Sequence, residues 1–454
     1  MERMVAQKKG AKNVEEKTSF KFIDLFAGLG GFHLALSSLG GECVFASELR
    51  EDLRRIYKQN FGIEIQGDIT KIDPKKDIPP HNVLCGGFPC QPFSQAGKRE
   101  GFNDARGTMF DYICKIVEVH KPEYLFLENV ANLKGHDKGN TWKVIQEKLD
   151  DLGYNVTAEI LSPHQFGIPQ HRKRIYIVGQ RKDFGNFDEF SFPKPTNLEC
   201  DIKSVIDESN SDVTLLRYDT RNQLNVWQEF LDKASSRGGK IPGFPIWAME
   251  FGANYAFEEI APAYQKLNEL VGKRGRLGCR VFGKTVADCL KLLPNYAQTA
   301  KNKKFPSWKI RYISQNREFY ENNKDWLSGW MERVRKFDNS HLKLEWNCGN
   351  VEPTILDKIV QFRASGIRIK NPTFSPALNL VGTQIPIFPW VTIPGKADHG
   401  RYMSVQEAAQ LQGMQKLKFG NKDFELSKTR IYEALGNAVN VQLVKKIARR
   451  LIKL

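Results

Sequence analysis

The sequence predicts an α/β protein, in which a parallel sheet covered by helices is followed by a second region of mostly irregular structure. Two observations support this prediction. Short apolar runs alternate with amphipathic stretches from Phe20 to about Gln180, and strands that alternate with helices in this way form parallel sheets. Beyond Phe190 the alternation stops, and seven of the eight tryptophans lie there, at positions 227, 247, 308, 326, 330, 346 and 390.

The elements of the first region follow in order. A buried strand at 20–26 leads through a glycine turn into a helix through 34–39. Strands are then predicted at 43–46, 63–65, 82–85 and 124–127, a helix at 52–60, and a further apolar run of the same kind at 175–178. After Tyr402 a helical stretch returns, and a final helix at 438–451 has one apolar face. We expect these closing segments to pack on the first region.

Composition limits the class of protein. The chain has 454 residues, 41% hydrophobic and 26% charged, which suits a globular protein of two domains. No run approaches the roughly 18 apolar residues of a membrane span, and residues 1–17 lack the apolar core of a secretory signal, so a cytoplasmic location is expected. The net charge of +16 favours a polyanionic partner. The eight cysteines form no zinc-binding pattern, so no metal is expected.

Polar, glycine or reactive residues follow each predicted strand. Because ligands of such sheets bind outside the carboxyl ends of the strands, these residues predict one shared site. In strand order they are Phe26–Gly31, Glu48, Asp68, Gly86–Pro92 and Glu128–Val130.

The first half of this site favours an adenosyl ligand. The glycine turn lets backbone approach a ligand closely, but His33 stands where a dinucleotide fingerprint needs its third glycine. Glu48 can hold ribose hydroxyls, and Asp68 can accept a hydrogen bond from an adenine amino group. The alternative for Glu48 alone is a carboxylate at the start of a helix.

Cys90 is the predicted nucleophile. It lies between two prolines in a glycine-containing loop, where a thiol is accessible, whereas Cys85 lies in an apolar strand and is expected to be a core residue. Farther along, Gln170, Arg172 and Arg174 would share one face of an extended segment, so that two guanidiniums converge. A solvated strand edge is the alternative for this segment.

At these residues the sequence resembles the DNA cytosine-5 methyltransferase family of bacterial restriction-modification systems. FIDLFAGLGG, GGFPCQPFS, ENV, QHRKR, RYMSVQEAAQLQGM and GNAV occur in the order of that family. The resemblance implies a Rossmann-like S-adenosylmethionine-dependent methyltransferase domain with a mostly irregular target recognition domain. The expected limits are a basic, polar tail at 1–19, a catalytic and cofactor-binding domain at 20–188, a recognition domain at 189–395 and a segment at 396–454 that completes the catalytic domain.

The resemblance also implies roles for individual residues. Cys90 would attack C6 of a flipped-out cytosine, supported by Glu128, Arg172 and Arg174. Ser94, Gln95 and Arg106, on the loop beyond Cys90, would contact DNA. The residues expected around S-adenosylmethionine are Phe26, Gly28, Leu29, Gly30, Glu48, Leu49, Asp68, Ile69, Pro89, Asn437 and Val439.

In the recognition domain, basic stretches interleave with aromatic residues, as in surfaces that contact phosphates and bases. A merely solvated face is the alternative. The DNA contacts expected there are Lys303, Lys304, Lys309, Arg311, Arg363 and Arg368.

The expected partner is double-stranded DNA, with a restriction endonuclease acting on the same site without a stable complex, and the enzyme is expected to be a monomer away from membranes. Two other functions stay open: a transfer-RNA cytosine-5 methyltransferase and a catalytically silent DNA-binding regulator. The basic second region favours duplex DNA over transfer RNA. The presence of Cys90, Glu128 and Arg172 argues against the silent regulator.

Overall fold

The computed structural model describes residues 20–89, 109–196, 198–237, 241–378, 384–392 and 399–453. The first half of the chain alternates strands and helices. In chain order these are β1 (Phe20–Leu25), α1 (Gly31–Ser37), β2 (Gly41–Ser47), α2 (Glu51–Phe61), α3 (Pro74–Asp77), β3 (Val83–Gly87), α4 (Met109–His120), β4 (Tyr124–Val130), α5 (Asn140–Asp151), β5 (Tyr154–Leu161), β6 (Gln170–His171) and β7 (Arg174–Arg181).

Six of these strands form one sheet in the order β2-β1-β3-β4-β7-β5. Strands β1 to β4 are parallel, so their carboxyl ends share one edge, and the predicted α/β class is confirmed. The prediction of a wholly parallel sheet is wrong at β7, which runs antiparallel to both β4 and β5. Parallel neighbours need a crossover connection, but only a short 3-10 turn (Pro163–Phe166) and β6 separate β5 from β7.

Some predicted boundaries differ from the structure. The strand at 63–65 does not form, and a single bridge joins Ser47 to Gln66 instead. Gly62, with φ 72°, ends α2, and Asp68 caps a 3-10 turn, so little chain is left between them for a strand. Helix α1 begins and ends earlier than 34–39, and β5 was not predicted.

The second region is more regular than the sequence predicts. It contains α6 (Tyr218–Ser236), β8 (Ile246–Trp247), α7 (Leu267–Leu270), α8 (Val286–Leu290), α9 (Asn295–Gln298), α10 (Ser307–Asn322), α11 (Lys324–Val334), β9 (Lys343–Asn347), β10 (Ile359–Arg363), β11 (Gly366–Lys370), β12 (Ser375–Pro376), β13 (Ile387–Thr392) and β14 (His399–Tyr402). Six of its strands form a sheet in the order β14-β13-β10-β11-β9-β8. Trp227, Phe230 and Trp330 pack together in a core separate from that of the first half.

The end of the chain returns to the first half, as predicted. It forms α12 (Val405–Leu411), α13 (Lys428–Asn437) and α14 (Val441–Leu451). Helix α12 begins with a capping box between Ser404 and Glu407. Helix α14 begins later than residue 438 because the Asn440 side chain caps it, accepting from the Leu443 N–H at 3.0 Å. Its apolar face is buried in the same core as α1 and β1.

A short pairing joins the two halves of the molecule. β12 pairs in parallel with β6, with Ser375 opposite Gln170 and Pro376 opposite His171. The segment that leads into Arg172 is thus held by backbone from the second region. Within the described ranges, no helix is long and apolar enough to span a membrane.

Candidate active site

The turn after β1 and the carboxylate after β2 form one unit. Phe26, Gly28 and Gly30 have positive φ angles of 55°, 54° and 78°, which fold the backbone back on itself. The Gly28 N–H donates to Glu48 Oε2 and the Arg50 N–H to Glu48 Oε1, both at 2.9 Å. Glu48 therefore ties the ends of the two strands together. A Cβ placed on Gly28 would meet nothing within 4 Å, so the turn borders open space.

The groups around this open space fit an adenosyl ligand. Glu48 is half-buried, and each of its oxygens keeps a lone pair after its backbone bond. Phe26 is half-buried and the Leu49 side chain is 71% exposed, so both offer apolar surface to a ring. Leu29 and Gly30, which belong to the turn itself, are buried.

Asp68 is placed to accept one further hydrogen bond. Its Oδ1 accepts from the N–H and the hydroxyl of Thr70, at 3.0 and 2.8 Å, and these bonds lower the pKa of the carboxyl. Among the described residues, no donor reaches its Oδ2. Ile69, next in the chain, is buried in the core beneath.

The end of the chain closes over the same turn. A Cβ on Gly31 would lie 2.5 Å from Val439 Cγ2, so glycine is required there for Val439 to pack against the turn. Arg50 forms an ion pair with Glu433 of α13 at 3.1 Å, which holds the helix beside β2. Asn437 is exposed, and its side chain donates to the Glu433 carbonyl of its own helix at 3.1 Å.

Glu128, at the carboxyl end of β4, lies in a buried cluster of charges. Arg174 Nε is 3.0 Å from Glu128 Oε1. Arg172 is 2% exposed and donates from a guanidinium nitrogen to the Gly436 carbonyl at 2.6 Å. Burial raises the pKa of Glu128 against the opposing effect of the two arginines. Burial also lowers the pKa of Arg172 to about 10.

Within the described part of the chain, two buried polar atoms of this cluster have no hydrogen bond. They are Glu128 Oε1, whose contact with Arg174 lacks hydrogen-bond geometry, and Arg172 Nε. Buried polar groups are normally satisfied, because leaving one unpaired costs about 1–3 kcal/mol. The Arg172 backbone is nevertheless fixed, since its N–H donates to Ser162 Oγ at 2.9 Å. The cluster is therefore held in place with hydrogen-bonding capacity to spare.

The loop after β3 is anchored beside Glu128. The buried Asn129 side chain donates to the Phe88 carbonyl at 2.9 Å. Pro89 follows and is exposed. Cys90, Ser94, Gln95 and Arg106 lie outside the described residues. Cys85 is fully buried, its thiol donates to the Ile23 carbonyl at 3.0 Å, and burial raises its pKa, as suits a core residue.

Asn129 belongs to the segment that the sequence places in the site, but its bond to the Phe88 carbonyl was not predicted. Ser162 is a positioning residue that the sequence did not indicate, because its partner Arg172 is ten residues away across a turn. In the described part of the chain, no three His, Cys, Asp or Glu side chains are grouped to hold a metal ion.

A family model described as C-5 cytosine-specific DNA methylase matches residues 20–453. The chain belongs to this family. The methylase is 31% identical to the type II methyltransferase M.AluI of Cellulosimicrobium cellulans, over 96% of this chain and 92% of that protein. S-adenosylmethionine is the methyl donor of the C-5 DNA methylases.

Two other relatives match this chain over somewhat less than two thirds of their own length. The methylase is 44% identical to type II methyltransferase M.HhaI of Haemophilus parahaemolyticus, over 47% of this chain and 65% of that protein. It is 51% identical to type II methyltransferase M.HpaII of Haemophilus parainfluenzae, over 50% of this chain and 63% of that protein. Among solved structures, the S. pombe Dnmt2 methyltransferase matches 96% of this chain and 98% of that chain, with a TM-score of 0.46 and 17% identity.

The predicted basic residues on and before α10 of the methylase differ in their surroundings. Lys303 is exposed, and Arg311 is exposed beside the Tyr312 ring. Lys304 is paired with Glu259 at 3.0 Å. Lys309 is half-buried, with its ammonium 4.6 Å from the centre of the Phe305 ring, and burial lowers its pKa. Lys303 and Arg311 are therefore the freest to contact a phosphate.

Arg363 and Arg368, on neighbouring strands β10 and β11, share one carboxylate. Glu345 Oε2 lies 3.4 Å from Arg363 and 2.7 Å from Arg368. Together the three residues carry one net positive charge, and all are less than about a third exposed. This arrangement fixes the direction of both guanidiniums but lowers the charge they present.

Proposed function

We propose that this methylase transfers a methyl group to C5 of a flipped-out cytosine in duplex DNA, through a covalent bond between Cys90 and C6. The proposal rests on the buried cluster of Glu128, Arg172 and Arg174, beside the loop that leads to Cys90. Among the described residues, Glu128 Oε1 and Arg172 Nε of this cluster have no hydrogen bond, although the carboxylate is ion-paired with Arg174. A flipped base brings the hydrogen-bonding groups that such a cluster lacks.

S-adenosylmethionine supplies an electrophilic methyl group when bound. Glu48 would accept from its ribose hydroxyls and Asp68 Oδ2 from its adenine amino group. Phe26 and Leu49 would cover the ring, and Val439 would close the pocket. The open space at Gly28 and the free lone pairs of Glu48 support this assignment.

Cys90 would make C5 reactive. Cytosine C5 is a poor nucleophile, but addition of the Cys90 thiolate to C6 forms an S–C6 bond and turns the C5–C6 double bond into an enamine. C5 then takes the methyl group, and the sulfonium sulfur keeps the electron pair. A base removes the C5 proton, the double bond re-forms, and the S–C6 bond breaks to release the Cys90 thiolate.

Glu128 would hold the base by two hydrogen bonds. Cytosine N3 accepts a hydrogen bond and the exocyclic amine donates one, so a carboxyl that meets both must carry a proton on one oxygen. Burial raises the pKa of Glu128, which favours that protonated form. Arg172 and Arg174 would place positive charge at cytosine O2, where negative charge develops during the addition.

The biological role proposed is protection of DNA in a restriction-modification system. The relatives M.AluI, M.HhaI and M.HpaII are all named type II methyltransferases. The methylase would act as a monomer in the cytoplasm, on the site cleaved by a cognate restriction endonuclease, without forming a stable complex with it.

A trapping experiment tests the mechanism. A fluorine at C5 cannot leave as a proton does, so elimination of the cysteine is blocked after methyl transfer. First, sequencing of methylated DNA from expressing cells identifies the target. Duplex DNA with 5-fluorocytosine at that position should then become covalently attached to the wild-type protein, as a shifted band on a denaturing gel, only when S-adenosylmethionine is present.

Two matched cysteine variants serve as controls. Cys90→Ala should form no adduct yet still bind DNA, whereas Cys85→Ala, which changes a buried core thiol, should form the adduct. An adduct in Cys90→Ala, or none in wild type, would refute the covalent step. Trapping on transfer RNA but not on duplex DNA would refute the proposed substrate.

A further inference from the structure

A cavity of about 480 Å³ lies between α14 and the segment around residues 193–196, and the proposed mechanism does not use it. Five of its nine lining residues are basic and none is acidic. The basic residues are Lys194, Lys445, Lys446, Arg449 and Arg450. This composition fits an anionic ligand and excludes a cationic one.

The basic residues of this cavity differ from many other surface cations of the molecule in their partners. In the described part of the chain, no carboxylate forms an ion pair with any of the five. Arg450 donates instead to the Ser191 carbonyl and hydroxyl at 3.3 Å and to the Phe192 carbonyl at 3.4 Å. Beyond the cavity, Lys453 forms an ion pair with Glu189 at 2.6 Å. Elsewhere on the surface many lysines and arginines do have acidic partners, such as Lys58, Lys143 and Lys182.

The cationic side chains form a row along α14. Gln442, Lys445, Lys446, Arg449 and Arg450 follow the three- and four-residue spacing of one helix face, while the opposite face is buried. The cationic part of this face, from Lys445 to Arg450, rises about 7.5 Å. A single phosphate reaches only part of such a row. Phosphates along one DNA strand are spaced about 3.4 Å apart along the helix axis, so about three of them match the length of the cationic row.

The row leads away from the candidate active site. Helix α14 begins just after Val439, which contacts the glycine turn at the carboxyl edge of the sheet. Its other end lies near the start of β4, where Lys453 acts electrostatically on Tyr124. A strand of nucleic acid on this row would therefore lie along the catalytic half, apart from the recognition residues on α10.

We propose that this cavity is a second nucleic-acid site, which binds the phosphodiester backbone of DNA outside the target sequence. The contacts are electrostatic and independent of base sequence. The site adds affinity on long DNA and leaves the choice of target to the recognition region.

The first test measures whether DNA covers the cavity. The full-length protein is treated briefly with an amine-acetylating reagent, and acetylation of each lysine is measured by mass spectrometry. A 40-base-pair duplex of mixed sequence should protect Lys194, Lys445 and Lys446, whereas inorganic pyrophosphate at millimolar concentration should not. Lys76 and Lys143, on other faces, serve as reference lysines.

The second test measures how much the basic residues of the cavity contribute to DNA affinity. The triple variant Lys445→Gln, Lys446→Gln, Arg449→Gln is compared with a control triple variant, Lys58→Gln, Lys143→Gln, Lys182→Gln, in which each lysine has an acidic partner. For three lost phosphate contacts, the slope of log affinity against log salt should fall by about 2.7 in the cavity variant, and the affinity ratio to wild type should change about 40-fold between 50 and 200 mM salt. The control should change much less.

Calorimetric binding of S-adenosylmethionine, unchanged in both variants, shows that they are folded. Protection by pyrophosphate but not by DNA would overturn the assignment to nucleic acid in favour of a small phosphorylated ligand. Absence of protection by either, or equal salt slopes in the two variants, would overturn the site. Neither test measures methyl transfer. Failure of this second site would therefore leave the proposed mechanism untouched, and failure of the mechanism would leave the second site untouched.

Discussion

Two buried carboxylates of this methylase, Glu128 in the first half and Glu250 in the second region, are paired with arginine in different ways. Both oxygens of Glu250 accept hydrogen bonds: one from the hydroxyls of Tyr255 and Tyr296, the other from Arg317 Nε at 2.9 Å. The Arg317 guanidinium also lies 4.3 Å from the centre of the Tyr255 ring. In the Glu128 cluster, by contrast, one carboxylate oxygen and Arg172 Nε have no hydrogen bond.

The difference distinguishes a structural cluster from the one that we propose binds the target base. We call the Glu250 cluster closed because both carboxylate oxygens are satisfied, although Arg317 Nη2 is not satisfied by any described residue. Its hydrogen bonds contribute to holding the aromatic core of the second region together. An open network around Glu128 is less favourable for the protein alone, and becomes satisfied only when a ligand supplies the missing partners. Burial and charge are thus alike at the two sites, and the carboxylate distinguishes them. Within the described ranges, both oxygens of Glu250 accept hydrogen bonds, although Arg317 Nη2 has none, whereas Glu128 Oε1 accepts none.

The largest expected effect on stability is at the closed cluster. Glu250→Ala leaves Arg317 buried without its partner, and removing one member of a buried ion pair costs about 3–5 kcal/mol. Denaturant unfolding followed by tryptophan emission reports mainly on this region, because seven of the eight tryptophans lie beyond residue 190. Glu352→Ala, at an exposed position, is the control. Equal unfolding midpoints for the two variants would show that the closed network contributes nothing.

At the open cluster the expected effect is on rate. Glu128→Gln keeps the shape of the side chain but removes the proton that it can give to the base, so methyl transfer should fall about 10²–10³-fold. The unfolding midpoint should stay close to that of wild type. Single-turnover transfer of a radiolabelled methyl group measures the rate. A large loss of stability with little loss of rate would mean that Glu128 resembles Glu250 after all.

A smaller effect is expected from pH in the catalytic half. His33 is stacked on Phe61 with 3.9 Å between ring centroids, and burial lowers its pKa to about 4 from its usual 6.5. Between these values the unfolded chain binds a proton that the folded protein does not, so stability falls as pH drops from 6.5 towards 4. Replacing His33 by Gln removes this loss. The free energy of unfolding of wild type relative to His33→Gln should therefore be lower at pH 4.5 than at pH 7.

Comparing the two proteins at each pH cancels the contributions of Asp24 and Glu128. The pKa values of both carboxyls are raised by burial, so their contribution to stability falls as pH rises above their ordinary values. A difference between wild type and His33→Gln that does not change with pH would contradict the assignment of His33 as a half-buried, neutral side chain.

The smallest effect is expected among the surface cations of the second region. Lys303→Gln with Arg311→Gln should lower the salt slope of DNA binding by up to about 1.8, at about 0.9 per phosphate contact. Arg363→Gln with Arg368→Gln should lower it less, because Glu345 already neutralises part of their charge. Titrations of labelled duplex at several salt concentrations measure both slopes. The reverse order would place the DNA surface on β10 and β11.

Much of the candidate site could be predicted from the sequence because one rule of α/β sheets assembles it. The carboxyl ends of β1, β2 and β4 bring Gly28, Glu48 and Glu128 to one edge, as the order of strands and turns predicted. Period-two spacing likewise predicted that Arg172 and Arg174 lie on one side of their segment. These inferences depend only on local pattern and on the direction of parallel strands.

The rest depends on contacts between distant parts of the chain. The Gly436 carbonyl that receives Arg172 comes from 264 residues away, and no local pattern indicates it. The reversed direction of β7 depends on the absence of a crossover helix between β5 and β7. The second sheet pairs β8 with β9, although helices α7 to α11 lie between them in the chain. The separate tryptophan-rich core of the second region holds its short elements in place, so periodicity alone could not reveal them.

The pairing of β12 with β6 matters for anyone who would build chimaeras of this methylase. Excision at residues 189–395, the limits that the sequence predicts for a recognition domain, would remove Ser375 and Pro376 and leave β6 without that partner. The Ser375 N–H, which donates to the Pro169 carbonyl at 2.8 Å, would be lost just ahead of Arg172. A graft that is meant to change target sequence and keep turnover therefore needs its downstream junction before Ser375, so that the host retains both residues.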